Sequence, residues 1–571
     1  MTQSSREDVI QQDVRDLHKL GYAQELFRSM GGFSNFAISF SIISILTGAV
    51  ILYDYGLAWA GTAASLIGWP LVTVFVLCIA AAMSEVASAY PTAGGLYYWA
   101  SRMKGKAWGW WTAWFNLLGQ FAIVAGIAYA AAQFLNVSIV TPILSRLGVD
   151  YTNVTELIKI GNVPILTGGL LTMGVLLVIC LILNIRGIGV VALLNQVSVW
   201  WHIAIVALVV ILLTVAGKPD QSGMHLFAVE PQDTFFGSWA NVIPFLGINL
   251  TYGSAITYPL FFAFMFSLLQ ANWTYTGYDA SAHVAEETVG ARISSAWGIF
   301  LSVAVSAVVG YIFLFVLTIH LPNRDTLFPR DGGPTPDSAT YSTYYFGQGY
   351  AVFEALRYNL GNIGHLLGAG IAIAMSFCTL SSIASAGRML FAFSRDDGVP
   401  GSRWLKKVDH RFRTPSNSLV TIVVVAFLFT VAAFYVGALG GPGGGGIAIV
   451  IVTAISTIFL YAAYGIPIWL ALTSETWRSE RVWSLGRWSK PIAVVALLWI
   501  LVLLVLFSFP TSGNISWPFM AGAVILLVVY YFAFARSRFQ GPRVMGREEE
   551  LTEIEREFDQ AARELGGATP A

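Results

Sequence analysis

Residues 270–287, QANWTYTGYDASAHVAEE, place Asn272, Thr274, Thr276, Asp279, His283, Glu286 and Glu287 within sixteen positions. Amides, hydroxyls, carboxylates and an imidazole at this density can bind a small polar solute, hold an ion or move a proton. They follow apolar sequence that starts near Ile256. A carboxylate at bilayer depth costs about 2.5–3.5 kcal/mol on insertion scales, so such a cluster within a spanning segment marks a function. Gly277, in its middle, permits a break in helix geometry. The stretch reads as an interrupted membrane helix whose freed backbone groups face a cavity rather than lipid. Glu286 and Glu287 read instead as the point where that helix emerges at the surface.

The elements that must position this cluster are membrane spans. The chain has 571 residues, 56% hydrophobic and 11% charged, against about 25% charged in a soluble domain. Apolar runs occupy residues 34–53, 63–87, 107–135, 165–184, 191–216, 256–283, 294–320, 364–388, 416–437, 446–470, 491–509 and 516–535. Each approaches or exceeds the ~20 residues that cross a bilayer. The expected architecture is an all-α integral membrane protein with twelve transmembrane helices. Residues 1–30 form an N-terminal segment, 31–537 the twelve-helix membrane domain and 538–571 a C-terminal tail. With both termini inside, 26 of the 32 Lys and Arg lie on the inner side. That bias orients the chain in the cytoplasmic membrane with both termini in the cytoplasm.

The zero formal net charge is thus charge sorted by side, and nothing in it points to nucleic acid. Cys78, Cys180 and Cys378 fall within apolar spans and offer neither a disulfide framework nor a metal-ligand spacing. No cofactor or metal is expected. No nucleophile–base set stands out, so an enzyme is not expected either.

The first span is also interrupted, by Ser39, Ser41, Ser44, Thr47 and Gly48. Unusual segments in corresponding places of two halves point to a transporter site near the midplane. Spans 1–5 and 6–10 would then be two inverted repeats, on position alone. After the second span, Pro91, Gly94 and Gly95 force a turn. Glu85 precedes it, with Arg102, Lys104 and Lys106 close in sequence; it reads as a solvated pair or as a gate. In the third span Asn116 and Gln120 share a face, four apart, and either line a cavity or bond a neighbouring helix. His202 sits about a dozen residues from either end of the fifth span. Its unperturbed pKa near 6.5 suits a proton relay; one interhelical hydrogen bond is the plainer role. The eighth span carries Ser376, Thr379, Ser381, Ser382 and Ser385, then Arg388.

The connections add little chemistry. Long loops at 217–255 and 321–363 are expected to cap the outer face. Asn153 begins a glycosylation pattern. The glycine run at 440–446 lacks the Lys-Ser/Thr of a phosphate loop. Residues 547–567 repeat apolar side chains at helical spacing and read as a surface helix.

YPTAGGLYYWAS after the second span, FSNFAISFSIISILTG in the first, NQVSVWWH in the fifth and WTYTGYDASAHVAEET in the sixth resemble the amino acid–polyamine–organocation superfamily. The similarity is greatest to its amino acid/choline transporter branch, which includes GABA and choline permeases. It covers roughly residues 20–540. The resemblance implies a fold like that of the leucine transporter, a 5+5 inverted repeat with helices 1 and 6 unwound around the substrate. By position, Ser44, Ile45, Leu46, Thr47 and Gly48 would offer amides to a substrate carboxylate. Trp273, Thr274 and Thr276 would offer carbonyls to its amino group, with Gly277 at the break. Tyr275 and Tyr278 would shape the pocket and outer gate. Many relatives break helix 1 with Gly-x-Gly; here only the second glycine remains, as Gly48. In proton-coupled relatives a helix 5 lysine stands where His202 falls. Asn116 and Gln120 join the substrate set, and Glu85, Asp279, Glu286 and Arg388 the gates.

The expected function is a secondary active transporter that imports an amino acid or GABA-like zwitterion with a proton. Its partners are a small-molecule substrate, H+ and the bilayer. The alternatives are a choline or polyamine permease, a sodium-coupled carrier using Ser381 and Ser382, an exchanger, and a non-transporting nutrient sensor.

Overall fold

A computed structural model of the chain describes residues 3–149, 158–160, 163–219, 226–229, 260–322, 349–439, 444–508 and 516–564. Most of the two long loops, Asn153 and part of the glycine run lie outside these residues. Eleven described helices are long and apolar enough to cross a membrane. They correspond to the expected spans other than the sixth. The sixth is shorter, an apolar segment at Leu260–Thr274, and residues 256–259 are not described. The architecture is otherwise the expected all-α one. A two-stranded antiparallel hairpin, Ile158–Ile160 with Val163–Leu166, interrupts the connection after the third span.

Burial sorts the spans into a centre and a rim. The first span, Gly32–Ile51, is 94% buried and the tenth, Ala448–Thr473, 89%; the last, Trp517–Arg538, is only 17% buried. The rim displays Val175, Leu208, Leu366 and Leu526 outward, which suits contact with lipid tails. Lipid supplies no hydrophobic drive to bring helices together, so close packing through small residues must do it. The centre is accordingly rich in Ala, Gly and Ser (Ala122, Ala125, Ala128, Ala130 and Ala131 on the third span alone).

Both tails meet on one face. The helix Gln3–Lys19 and the tail helix Glu548–Glu564 are joined by His18 Nε2 and Glu555 Oε1 at 2.7 Å. Arg413 Nη1 donates to Asp559 Oδ1 at 2.8 Å, and the His410 ring stacks on Phe558. On the opposite face Asp54, just past the first span, caps the helix Tyr350–Leu360. Its carboxylate accepts Tyr350 N–H at 2.9 Å and Ala351 N–H at 3.0 Å. Burial nevertheless pushes Asp54 up to about 7. The unfolded carboxyl titrates near 3.9, so in that window the folded chain holds a proton the unfolded chain has released. This contribution to stability is lost as pH rises from about 4 to about 7. Asp54→Asn should flatten the fall in melting temperature across that window; parallel profiles for the two proteins would count against the assignment.

Candidate functional site

The first span is two helices. Gly32–Ile43 ends at Ser44, which sits at φ 28 and ψ 87, and a second helix runs over Ile45–Ile51. A non-glycine residue there carries strain of order 1–3 kcal/mol and persists only where its surroundings hold it. Side chains hold Ser44: its Oγ lies 2.7 Å from Thr47 Oγ1 and 2.8 Å from His202 Nε2. His202 Nδ1 lies 2.7 Å from the Ser198 carbonyl, so it carries the hydrogen. In the neutral ring Nε2 then accepts from Ser44.

This geometry narrows the expected amide set. Ser44 N–H donates to the Phe40 carbonyl, and Thr47 and Gly48 N–H both donate to the Ser44 carbonyl. Those three amides are already paired, as first-turn groups often are. Ile45 and Leu46 N–H have no acceptor among the described residues.

The sixth span breaks beside it. Helix ends at Thr274, Gly277 sits at φ +95, and helix resumes over Ala280–His283. An L side chain rarely adopts that φ, and a Cβ on Gly277 would overlap Ile42 of the first span. Here too the carbonyl set is narrower than expected. The Trp273 carbonyl is taken by Thr276, whose N–H lies at 3.0 Å and hydroxyl at 2.6 Å. The carbonyls of Thr274, Tyr275 and Thr276 have no donor among the described residues. The two breaks touch: Ser39 Oγ donates to the Tyr278 carbonyl at 2.9 Å, and Asn35 Nδ2 to the Ser281 carbonyl at 2.9 Å.

Side chains from the third and tenth spans close around the second break. Tyr464 Oη donates to Asp279 Oδ1 at 2.9 Å and accepts Gly277 N–H at 3.2 Å. Asn116 and Gln120 each reach Asp279 Oδ2 at 3.4 Å, so both turn towards the sixth span. Trp273 Nε1 donates to Ser456 Oγ at 2.9 Å. Tyr275 Oη lies 2.6 Å from Thr73 Oγ1, its ring 4.7 Å from Trp69. Tyr278 packs on Tyr464, and its buried hydroxyl has no partner among the described residues.

The remaining residues expected to act as gates separate. Glu286 and Glu287 are buried, not emerging at a surface. Glu287 pairs with Arg388 through Nε at 2.8 Å and Nη2 at 3.2 Å. Glu286 pairs with Arg395 at 2.9 and 3.1 Å and accepts Ala93 N–H at 3.0 Å. Glu85 stands apart and is not a solvated pair. It is buried and takes Arg481 Nη1 at 2.7 Å, Leu485 N–H at 2.8 Å and Ser489 Oγ at 2.6 Å. The basic residues at 102–106 are not among its partners. Ser381 Oγ donates to Asn195 Oδ1, and Ser382 Oγ to the Cys378 carbonyl at 2.8 Å.

Sequence reasoning missed Tyr464, Ser198, Ser456 and Arg395. The signal for two of them was present. Thr453, Ser456, Thr457, Tyr461 and Tyr464 form a polar stripe at helical spacing through an apolar span.

Two touching interrupted helices inside a bundle of apolar spans define a membrane transporter scaffold. Residues 30–530 match the family described as amino acid permease. The chain belongs to that family, within the amino acid–polyamine–organocation superfamily. It is 33% identical to the amino-acid permease BAT1 of Arabidopsis thaliana, over 92% of this chain and 95% of that protein. It is 23% identical to a putative polyamine transporter of Candida albicans, over 97% and 93%. It is 27% identical to the thiamine transporter thi9 of Schizosaccharomyces pombe, over 92% and 86%. The protein is a multi-pass membrane transporter of small organic molecules, not an enzyme.

Proposed function

We propose that this transporter imports an amino acid or GABA-like zwitterion across the cytoplasmic membrane by proton symport, through alternating access on a 5+5 inverted repeat. Both termini lie inside, where 26 of the 32 Lys and Arg collect. The observation that carries the reading is the opposed polarity of the two touching breaks. Among the described residues, Ile45 and Leu46 have unpaired N–H groups on one, and Thr274, Tyr275 and Thr276 unpaired carbonyls on the other. Unpaired donors favour a carboxylate and unpaired carbonyls an ammonium. Tyr275 and Tyr278 are aromatic side chains at the second break.

His202 couples the proton. Protonation puts a hydrogen on Nε2, so Ser44 must turn from donor to acceptor at the strained residue of the first break. Proteoliposomes with an imposed pH gradient and no sodium test this, using labelled α-amino acids, GABA, choline and putrescine. His202→Ala should remove the gradient's acceleration of uptake, about 10–100-fold for a hydrogen bond to a charged group, with substrate still bound. Uptake that requires sodium and survives collapse of the proton gradient would transfer the coupling to a cation near Ser381 and Ser382.

A second reading, an organic cation as substrate, is favoured by Asp279. Its carboxylate is fully buried two residues from Gly277, where the ammonium of such a substrate would meet it. Competition by GABA against choline or putrescine separates the two.

A further inference from the structure

His283 lies between two oxygens. Its Nδ1 is 3.0 Å from the Ala93 carbonyl and its Nε2 is 3.2 Å from Asp279 Oδ2. All of these groups are shut away from solvent. A carbonyl only accepts, so Nδ1 must carry a hydrogen. A neutral ring then turns the Nε2 lone pair on the carboxylate, and two acceptors repel. Asn116 Nδ2 lies 3.4 Å from both Nε2 and Oδ2, longer than the direct approach of the ring to the carboxylate. That direct 3.2 Å approach is a hydrogen bond in only two states: an imidazolium beside a carboxylate, or a neutral imidazole accepting from a carboxylic acid. Each has the same proton count and zero net charge. The bare pair would instead leave an unpaired charge in the membrane interior, which is costly.

From these contacts we infer that Asp279 and His283 together hold one proton, and that it is a proton the transporter carries, distinct from that of His202. The inference rests on the transport reading of the same site.

The surroundings supply a path and a release step. Ala93 belongs to the turn at 91–95. Its carbonyl faces His283, while its N–H donates to Glu286, which is paired with Arg395. One residue, through its two adjoining peptide groups, therefore links the broken sixth span to the ion pairs on the face that bears both termini. If the turn swings away as that face opens, His283 loses the acceptor that fixes its Nδ1 hydrogen. Water then reaches the pair, the proton leaves to it, and the pair passes from zero to one negative charge. Tyr464 on Asp279 Oδ1, with Asn116 and Gln120 near Oδ2, offers donors to the carboxylate left behind. The other titratable groups near the pair are Tyr278 and the ion pairs Glu286–Arg395 and Glu287–Arg388, with Glu25 3.8 Å from Arg395 and Arg28 acting on both glutamates. His202 engages Ser44 and Ser198 rather than this pair.

Two measurements on the full-length protein test this. The first needs no transport. Solid-state nitrogen-15 NMR of histidine-labelled protein in lipid, with His283→Gln to assign the signal, reports which ring nitrogens carry hydrogen. The inference expects either both nitrogens protonated, or Nδ1 alone together with an infrared carboxylic-acid band that Asp279→Asn removes. Nδ1 alone with no such band, or Nε2 alone, would overturn it. The second is the proton-to-substrate ratio during uptake into liposomes loaded with a pH dye. Asp279→Asn and His283→Gln should each lower that ratio, whatever the rate that remains. His202→Ala, run in parallel, should lower it by its own proton. An unchanged ratio in both pair variants overturns the carried proton. A fall only in those variants keeps it and removes His202 from coupling. A wild type that takes up substrate without protons overturns both couplings while leaving the transporter reading intact.

Discussion

Arg388→Ala should leave little folded protein to study. Arg388 and Glu287 are both fully buried and joined by two hydrogen bonds of 2.8 and 3.2 Å. Burying an ion pair is a poor source of stability, because each partner loses its hydration. Removing one partner is far worse, because the other remains as an uncompensated charge, at a cost of about 3–5 kcal/mol. Whole domains are stable by about 5–15 kcal/mol, so this single change removes a large share. The neighbouring pair cannot compensate, since Arg395 is already committed to Glu286. Fluorescence-detected gel filtration and melting in detergent would read the loss. Removing both charges, as Glu287→Gln with Arg388→Met, should recover most of the folded yield, which a simple packing defect would not. Melting of Arg388→Ala within a few degrees of wild type would show that Glu287 takes a proton or a water instead.

That pair also shows where sequence reading reached its limit. The spans themselves were legible, because an apolar run of about 20 residues has one stable place to go. The breaks were legible too: Gly277 within a polar stretch, and hydroxyls crowding the first span, are expensive in lipid unless they work. The partners of the charges were not legible. Glu286 and Glu287, at the end of an apolar run, look the same in sequence whether they enter water or meet Arg395 and Arg388 a hundred residues later. Glu85 misled in the same way, since nearby bases at 102–106 suggested a surface pair while Arg481 waited in a distant loop. The backbone donors failed for a different reason. Family position assigned Ser44, Thr47 and Gly48 amides to the substrate. Which amides are free depends on how tightly the chain restarts its helix after Ser44, a matter of dihedral angles that residue types do not specify.

Gly48→Ala should reduce uptake about 100-fold while leaving the protein folded. The two broken helices pack closely at Gly48. A Cβ built there would lie 2.7 Å from Thr274 Cα and 2.5 Å from its hydroxyl. Backbone cannot rotate out of the way as a side chain can, so the first span must move off the sixth by roughly 1 Å, and misplacement on that scale costs about 100-fold in rate. Folding should survive, because alanine is the better helix former by about 1 kcal/mol, which offsets part of the lost packing. The site pays instead: Ile45 and Leu46 N–H move relative to the carbonyls of Thr274 to Thr276, and one substrate can no longer bridge both. Gly522 serves as the control, since a Cβ there meets nothing within 4 Å, and Gly522→Ala should transport like wild type. Uptake by Gly48→Ala within a few-fold of wild type would mean that the close approach packs helices without setting the substrate geometry. The polarity of the two breaks would then no longer explain what the transporter selects.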